Sequence, residues 1–469
     1  MSSAGGGRRS AQRRSGLNLM VALAVVLPLA SAAALLLVRP SDPADATHPP
    51  ASTPLTAATL TCPSALPDAP GVALTTTADG VDGRVEVGLG EDAREVPVST
   101  GRVSSVDDPD ATTVTGSGDT APGLVASRSG GDEAAVAACR PPAAVHWFTG
   151  VGAGPSHDSV LELTNPDAGT AVADVTFYGR AGVVDAPRLR GVSVSGGRSV
   201  RLDLGSIVPR PEELALQVVT ARGRLGASVL DRVDRVGSAP LTQDWLSPQQ
   251  EPTLQTMLLG LAPGSGRRTL TVANPGSDEV RVQVRVVDTE SVFAPAGLDE
   301  LRVPPQSVVS VPVTAVVDEA VGDGALGVQV TGTHPVTASL RSVVRGDVSH
   351  AVASTAYSTA TTVLVPEAPA QGPRKAERRV VLTASGAGTV TVLAADADGK
   401  ELRTTEVEVE RGRGFAVPVP PAAQQVTVTP SRTTVTGAVL TSSSGGAAVL
   451  PMTAPVTNGL VPDVRPGLP

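Results

Sequence analysis

The chain has 469 residues, too many for one ordinary core at roughly 150 residues per domain, and only 2% are aromatic, so its cores must be built from Val, Ala and Leu. Its net charge is −9 although Arg8, Arg9, Arg13 and Arg14 open it with no acidic residue among them, so everything beyond residue 16 is more acidic still. That excess repels phosphate polymers and argues against nucleic acid as a partner.

Residues 1–16 read as a basic tail. Leu17 to Val38 is a 22-residue run without an ionisable side chain, which as a helix spans roughly 33 Å, enough for a ~30 Å hydrocarbon layer. The spacing predicts a transmembrane helix over 17–38, and the preceding arginines keep the N-terminus cytoplasmic with the bulk of the chain extracytoplasmic. The alternative is a cleaved signal peptide and secretion. Against it, the apolar run continues past Ser31-Ala32-Ala33-Ala34 into Leu35-Leu36-Leu37-Val38, longer than an ordinary signal-peptide core. Residues 39–59, rich in Pro and Thr, read as a stalk that buries too little apolar surface to fold.

Beyond the stalk one pattern repeats four times. The second copy opens with Leu161-Glu162-Leu163-Thr164-Asn165-Pro166 and the third with Leu270-Thr271-Val272-Ala273-Asn274-Pro275; the first and fourth place Ala78-Asp79-Gly80 and Ala384-Ser385-Gly386 at the same turn. Each copy closes on a Val-Thr strand, a turn and a strand holding Ala126-Ser127, Ala227-Ser228, Ala338-Ser339 or Ala438-Val439. Copies of ~100 residues with period-2 alternation fit six or seven strands each in two antiparallel sheets. The expected fold is all-β: tandem antiparallel β-sandwiches over 60–142, 143–250, 251–365 and 366–457, with 458–469 as a C-terminal tail.

The Arg-rich start, the apolar helix, Thr61-Cys62-Pro63 and the Asn-Pro-marked repeats resemble an uncharacterised actinobacterial family of membrane-anchored extracytoplasmic proteins. The resemblance covers nearly the whole chain and implies location and architecture without naming a chemistry. More loosely, the repeats look like immunoglobulin-like domains, an analogy that sets no function.

Cys62 and Cys139, the only cysteines, bracket the first copy and are expected to form a disulfide in an oxidising space. The five histidines, His48, His146, His157, His334 and His350, show no H-x-H or H-E-x-x-H spacing and read as isolated surface residues. Ser156-His157-Asp158 holds triad residue types, but consecutive side chains do not form a nucleophile-base relay, so it reads as a loop. Gly150-Val151-Gly152-Ala153-Gly154 also reads as a loop, lacking dinucleotide-site spacing. Asp107-Asp108-Pro109-Asp110 and Asp396-Ala397-Asp398-Gly399 could offer oxygens to calcium but lack the full EF-hand spacing. Leu450-Pro451-Met452-Thr453-Ala454 resembles a sorting signal and Arg345-Gly346-Asp347 an adhesion tripeptide, both short enough to arise by chance. Trp147, Trp245 and Tyr357 fall near junctions between copies and are expected to pack between domains, with a carbohydrate platform as the alternative.

No catalytic, cofactor or metal residues are assigned. The expectation is a non-catalytic, membrane-anchored envelope protein that presents serial β-sandwiches to an envelope protein or wall polymer. A glycan- or calcium-binding sensory module is the alternative, and an envelope hydrolase the third reading.

Overall fold

The computed structural model describes residues 19–37, 51–130, 134–234, 241–368 and 375–461. Of the described residues, 19–37, 51–53, 460 and 461 belong to one unit and those between 54 and 459 to another. In the first, Leu19–Leu37 is an α-helix of 19 residues containing Pro28, about 28 Å long. Leu17, Asn18 and Val38, like the basic tail and most of the stalk, lie outside the described residues. Among the described residues no helix is long and apolar enough to cross a membrane.

The second unit is built of antiparallel sheets. Alternation explains them: along Val280–Val287 the valines at 280, 282, 284 and 286 are buried while Arg281, Gln283 and Arg285 between them are exposed. Four lobes, over residues 57–138, 145–246, 253–352 and 361–451, repeat one frame. In the first lobe Ala57–Cys62, Thr112–Ser117, Asp82–Val87 and Arg94–Ser99 make one sheet, and Ser104–Asp107, Gly71–Thr76, Leu124–Ser129 and Val136–Ala138 the other. Numbered along the lobe, the strand orders are 1-6-3-4 and 5-2-7-8. The fourth lobe has the same orders, from Thr361–Leu364 to Gly446–Pro451. In the third, one 18-residue strand, Gly327–Val344, serves both sheets. Its first half pairs with Thr253–Leu259 and Val280–Val287, and its second half with Gly266–Asn274 and Asp347–Val352.

Each lobe therefore has at least eight strands, not six or seven, because a short closing strand follows the strand at which each repeated pattern closes. Thr361–Leu364, on the third copy's side of the expected boundary at 365, is hydrogen-bonded to Gln425–Ser431 of the fourth lobe. Both sheets of a lobe share one core: in the fourth, Val380 and Leu382 of one sheet cluster with Val390, Val392, Val426 and Val428 of the other.

The lobes close on one another instead of forming a row. The first meets the second through Ser64, whose N–H and Oγ donate to Glu162 at 2.8 and 2.5 Å. The third meets the fourth through an apolar seam of Leu259, Leu326 and Val344 against Val381, Leu440 and Val449. The fourth returns to the first: Val103 N–H donates to Ala397 O at 2.8 Å, Arg102 pairs with Asp398 at 3.0 Å, and Val136 joins the fourth core. Without these contacts Val136, Leu259 and Val449 would face water. Closure removes that apolar surface from solvent, at ~25 cal/mol per Å².

Candidate functional site

The frame explains the sequence marker first. Asn165 and Asn274, both fully buried, close the second strand of their lobes. Asn165 Nδ2 donates to Gly169 O and Val194 O at 2.7 and 2.9 Å, and its Oδ1 accepts from Asp167 N–H at 3.0 Å. Asn274 repeats this on Asp278 O, Val303 O and Gly276 N–H at 2.7, 3.2 and 2.9 Å. A short amide with both donors and an acceptor ties the turn to a distant strand, a structural role.

Six residues before each turn the second strand carries a position that faces the seventh strand: Val72 opposite Arg128, Ser159 opposite Asp231, Arg268 opposite Ser342, and Arg378 opposite Thr441. Three lobes bury an arginine in this pair, and each guanidinium donates to loop carbonyls. Arg128 reaches Pro70 O, Asp108 O and Asp110 O at 3.1, 2.6 and 3.0 Å. Arg268 reaches Ala262 O and Gly264 O at 2.8 and 2.6 Å and pairs with Asp318 at 2.6 Å. Arg378 reaches Ala423 O and Pro366 O at 2.7 and 2.6 Å. Burial lowers Arg128 and Arg378 to about 10, which leaves both charged at neutral pH.

The second lobe inverts this charge. Ser159 and Asp231 are both 0% exposed; Ser159 Oγ donates to Asp231 Oδ1 at 2.5 Å and accepts from Gly152 N–H at 2.9 Å. With no arginine in its own lobe's pair, Asp231 draws its partners from elsewhere. His157 Nε2 lies 2.8 Å from its Oδ1, and His350, from the third lobe, lies 3.2 Å from its Oδ2. His157 Nδ1 lies 2.9 Å from Glu213 Oε2. Arg341 of the third lobe donates to Glu213 Oε1 at 2.5 Å and touches the His157 ring. Burial would lower His157, but Asp231 and Glu213 outweigh it and raise the imidazole to about 9. Burial likewise acts to raise Asp231 and Glu213, yet His157 wins and holds both below the ordinary carboxylate range. The result is a buried ionic cluster joining the second and third lobes.

Ser156-His157-Asp158 is thus no loop of surface groups. His157 opens the strand His157–Asn165, and the serine that matters is Ser159. The order is Ser–Asp–His with the carboxylate in the middle. The hydroxyl bonds to the carboxylate and not to the imidazole, so the arrangement lacks the base-to-nucleophile contact of a catalytic triad. The signal that could have found it is the frame position itself, where Ser159 replaces a buried arginine.

Further readings change similarly. Gly150-Val151-Gly152-Ala153-Gly154 lies inside the buried strand Val145–Gly154, with register shifts between Thr149 and Ala153. Gly150 has φ 88°, and a Cβ there would meet Ser339 Oγ at 2.5 Å, so the glycine is required by the lobe junction. His146, His157 and His350 are buried or nearly so and His334 is exposed; His48 lies outside the described residues. Arg345-Gly346-Asp347 is a hairpin turn whose Asp347 accepts from Thr242 Oγ1 at 3.0 Å and from Ala447 N–H at 2.9 Å, binding three lobes together. Leu450 and Met452 are fully buried in the fourth core, so Leu450–Ala454 is folded structure.

Cys62 and Cys139 form a disulfide. Asp396 Oδ1 accepts from Asp398 N–H and Lys400 N–H at 3.0 and 2.9 Å, a turn completed by its own backbone. Asp108 and Asp110 use their carbonyls on Arg128. Among the described residues no group of three or more His, Cys, Asp or Glu side chains is placed to hold a metal ion. Trp147 stacks on Tyr178 at 5.6 Å between centroids and packs on Ala273 and Val308 of the third lobe. Trp245 packs on Leu66, Ala135 and Ala137 of the first lobe, and Tyr357 lies in the fourth core. All three rings are about 95% buried or more, which leaves no face open to a sugar.

No curated protein matches the chain. The model of a family of unknown function, DUF5719, matches residues 100–420. That span covers most of the four-lobed unit and over two thirds of the chain, which therefore belongs to this family.

Proposed function

We propose that this chain is a non-catalytic, membrane-anchored envelope protein, in which an N-terminal helix tethers immunoglobulin-like β-sandwich lobes that act together as an extracytoplasmic binding body. The observation that carries the reading is the use made of the chemistry-bearing side chains. Ser159, Asp231, His157, Glu213 and Arg341 all bind one another at a lobe junction, and Arg128, Arg268 and Arg378 all bind backbone carbonyls. Groups so engaged hold geometry; they are not presented to a substrate. Two sheets sharing one core support the sandwich reading. The disulfide suits an oxidising compartment. Leu23, Val26, Leu27 and Leu29 of the helix are 49–64% exposed, apolar surface that a lipid layer would cover.

The test is protease shaving of intact cells joined to membrane fractionation. The expected result is a membrane-bound chain whose lobes are cut from outside. A chain recovered from the cytosol with its cysteines reduced would overturn the reading.

A further inference from the structure

Between the third and fourth lobes lies a cleft of about 640 Å³, room for some 20 waters at ~30 Å³ each. Its floor is the outward face of a third-lobe sheet, where Arg285 lies opposite Gln329 and Gln329 opposite Met257. Its wall is the fourth-lobe turn carrying Arg411 and Arg413. Arg411 Nε donates to Ser385 O at 2.9 Å, and Arg413 lies over the Phe415 ring at 5.1 Å, its Nε 3.0 Å from Glu410. Both guanidiniums are anchored at one edge.

Three arginines thus line one cleft of an acidic protein, and among the described residues no carboxylate lines it. Glu410 balances Arg413, but among the described residues Arg285 and Arg411 have no carboxylate partner, and such charges gather only at a cost unless an anion shares the space.

We propose that this cleft binds an acidic saccharide, its carboxylate held by Arg285, Arg411 and Arg413 and its hydroxyls by Gln255 and Gln329. The guanidinium fork matches a planar oxyanion, and amide side chains both donate to and accept from sugar hydroxyls. Among the described residues no aromatic ring lines the cleft, so a neutral sugar lacks the stacking face it would need. An acidic peptide fits less well, because the floor is a sheet face and not the unpaired edge that strand addition requires. The inference deepens the envelope reading by naming a ligand, and its test uses purified full-length chain, so either can fail without the other.

Calorimetric titration of the full chain in detergent would use oligogalacturonate, galacturonate monomer, a neutral galacto-oligosaccharide and polyglutamate. Oligogalacturonate is expected to bind, the neutral oligomer not to bind, and polyglutamate to bind more weakly. Monomer binding as tight as the oligomer's would mark a free acidic sugar as the ligand; weaker monomer binding would mark a polymer. The combined Arg285→Gln, Arg411→Gln, Arg413→Gln variant should weaken binding at least about tenfold. Arg281→Gln, exposed on the same strand as Arg285 but outside the cleft, should leave it unchanged. Unaltered melting would show that the variants remain folded. Tighter binding of polyglutamate, equal binding of the neutral oligomer, no binding of any galacturonate, or full binding by the triple variant would each overturn the proposal.

Discussion

The second and third lobes place opposite charges at the same point of the same frame. In the third, Arg268 is satisfied mainly within its own lobe, by Ala262 O, Gly264 O, Ser342 and Asp318. In the second, Asp231 is approached from outside by His350, 3.2 Å from its Oδ2, while His157 bridges it to Glu213 and Arg341. An arginine at the pair makes a lobe self-sufficient; an aspartate makes the lobe depend on its neighbour. Duplication followed by a change of charge at one buried pair is therefore enough to turn a clamp within a lobe into a junction between lobes.

The largest effects should come from breaking these two pairs. Asp231→Ala leaves His157 and His350 beside an empty position, and Arg268→Ala leaves Asp318 without its cation and two carbonyls without their donors. Each should cost about 3–5 kcal/mol, the usual consequence of removing one partner of a buried ion pair. The site of the damage should differ. Trp147 lies at the junction of the second and third lobes, so a Trp245→Phe background leaves one fluorophore reporting that junction. In urea titrations Asp231→Ala should shift the Trp147 transition to lower denaturant ahead of global circular dichroism. Arg268→Ala should move both signals together. Identical behaviour would erase the distinction between clamp and junction.

A smaller effect separates the pairs by pH. His157 has its folded value raised to about 9, against about 6.5 unfolded. Its contribution is therefore complete below about 6.5 and lost as pH rises through about 9. Asp231 and Glu213 are held below the ordinary carboxylate range, so theirs is complete above about 4 and lost on acidification below it. The junction should be firmest between about 4 and 6.5. Urea midpoints measured from pH 5 to pH 9.5 should decline along the alkaline limb. His157→Gln should flatten that decline, and Arg268→Ala should lower the whole curve while keeping its slope. An alkaline limb unchanged by His157→Gln would place the titrating group elsewhere.

Much of the frame was legible because it is local. Alternation in Val280–Val286, the Asn-Pro turns and the two cysteines flanking one copy each report on neighbours along the chain or on a single covalent choice. The closing strands were not. Val136–Ala138 is three residues long, and Asp347–Val352 follows a turn that looked like an adhesion motif. The glycine-rich 150–154 segment reads as a loop in sequence, and glycine ordinarily weakens strands; here the third lobe presses against it, and contact overrides propensity. The ionic cluster was hidden for another reason. His157, Glu213, Asp231, Arg341 and His350 are spread over two copies, and nothing in their spacing predicts that the copies close on one another. Only an alignment of the copies, with Ser159 read against Arg268 and Arg378, would have marked the position as unusual.

The finest test concerns what the two lobes share. If they are one frame with one altered pair, features away from that pair should behave alike. Asn165 and Asn274 make the same turn with matching partners, and both lie on the second strand, six residues from the altered position. Asn165→Ala and Asn274→Ala should each cost about 1–3 kcal/mol, the penalty for leaving buried backbone carbonyls without their donors. The two costs should agree closely and show no dependence on pH between 5 and 9, because neither amide titrates. In Trp245→Phe protein the asparagine variants should move fluorescence and circular dichroism together, as Arg268→Ala does. A much larger loss at Asn165, or one that appears first at Trp147, would mean that the second lobe's turn depends on the junction as well. The inversion of charge at Ser159 and Asp231 would then have altered the second lobe beyond a single buried pair.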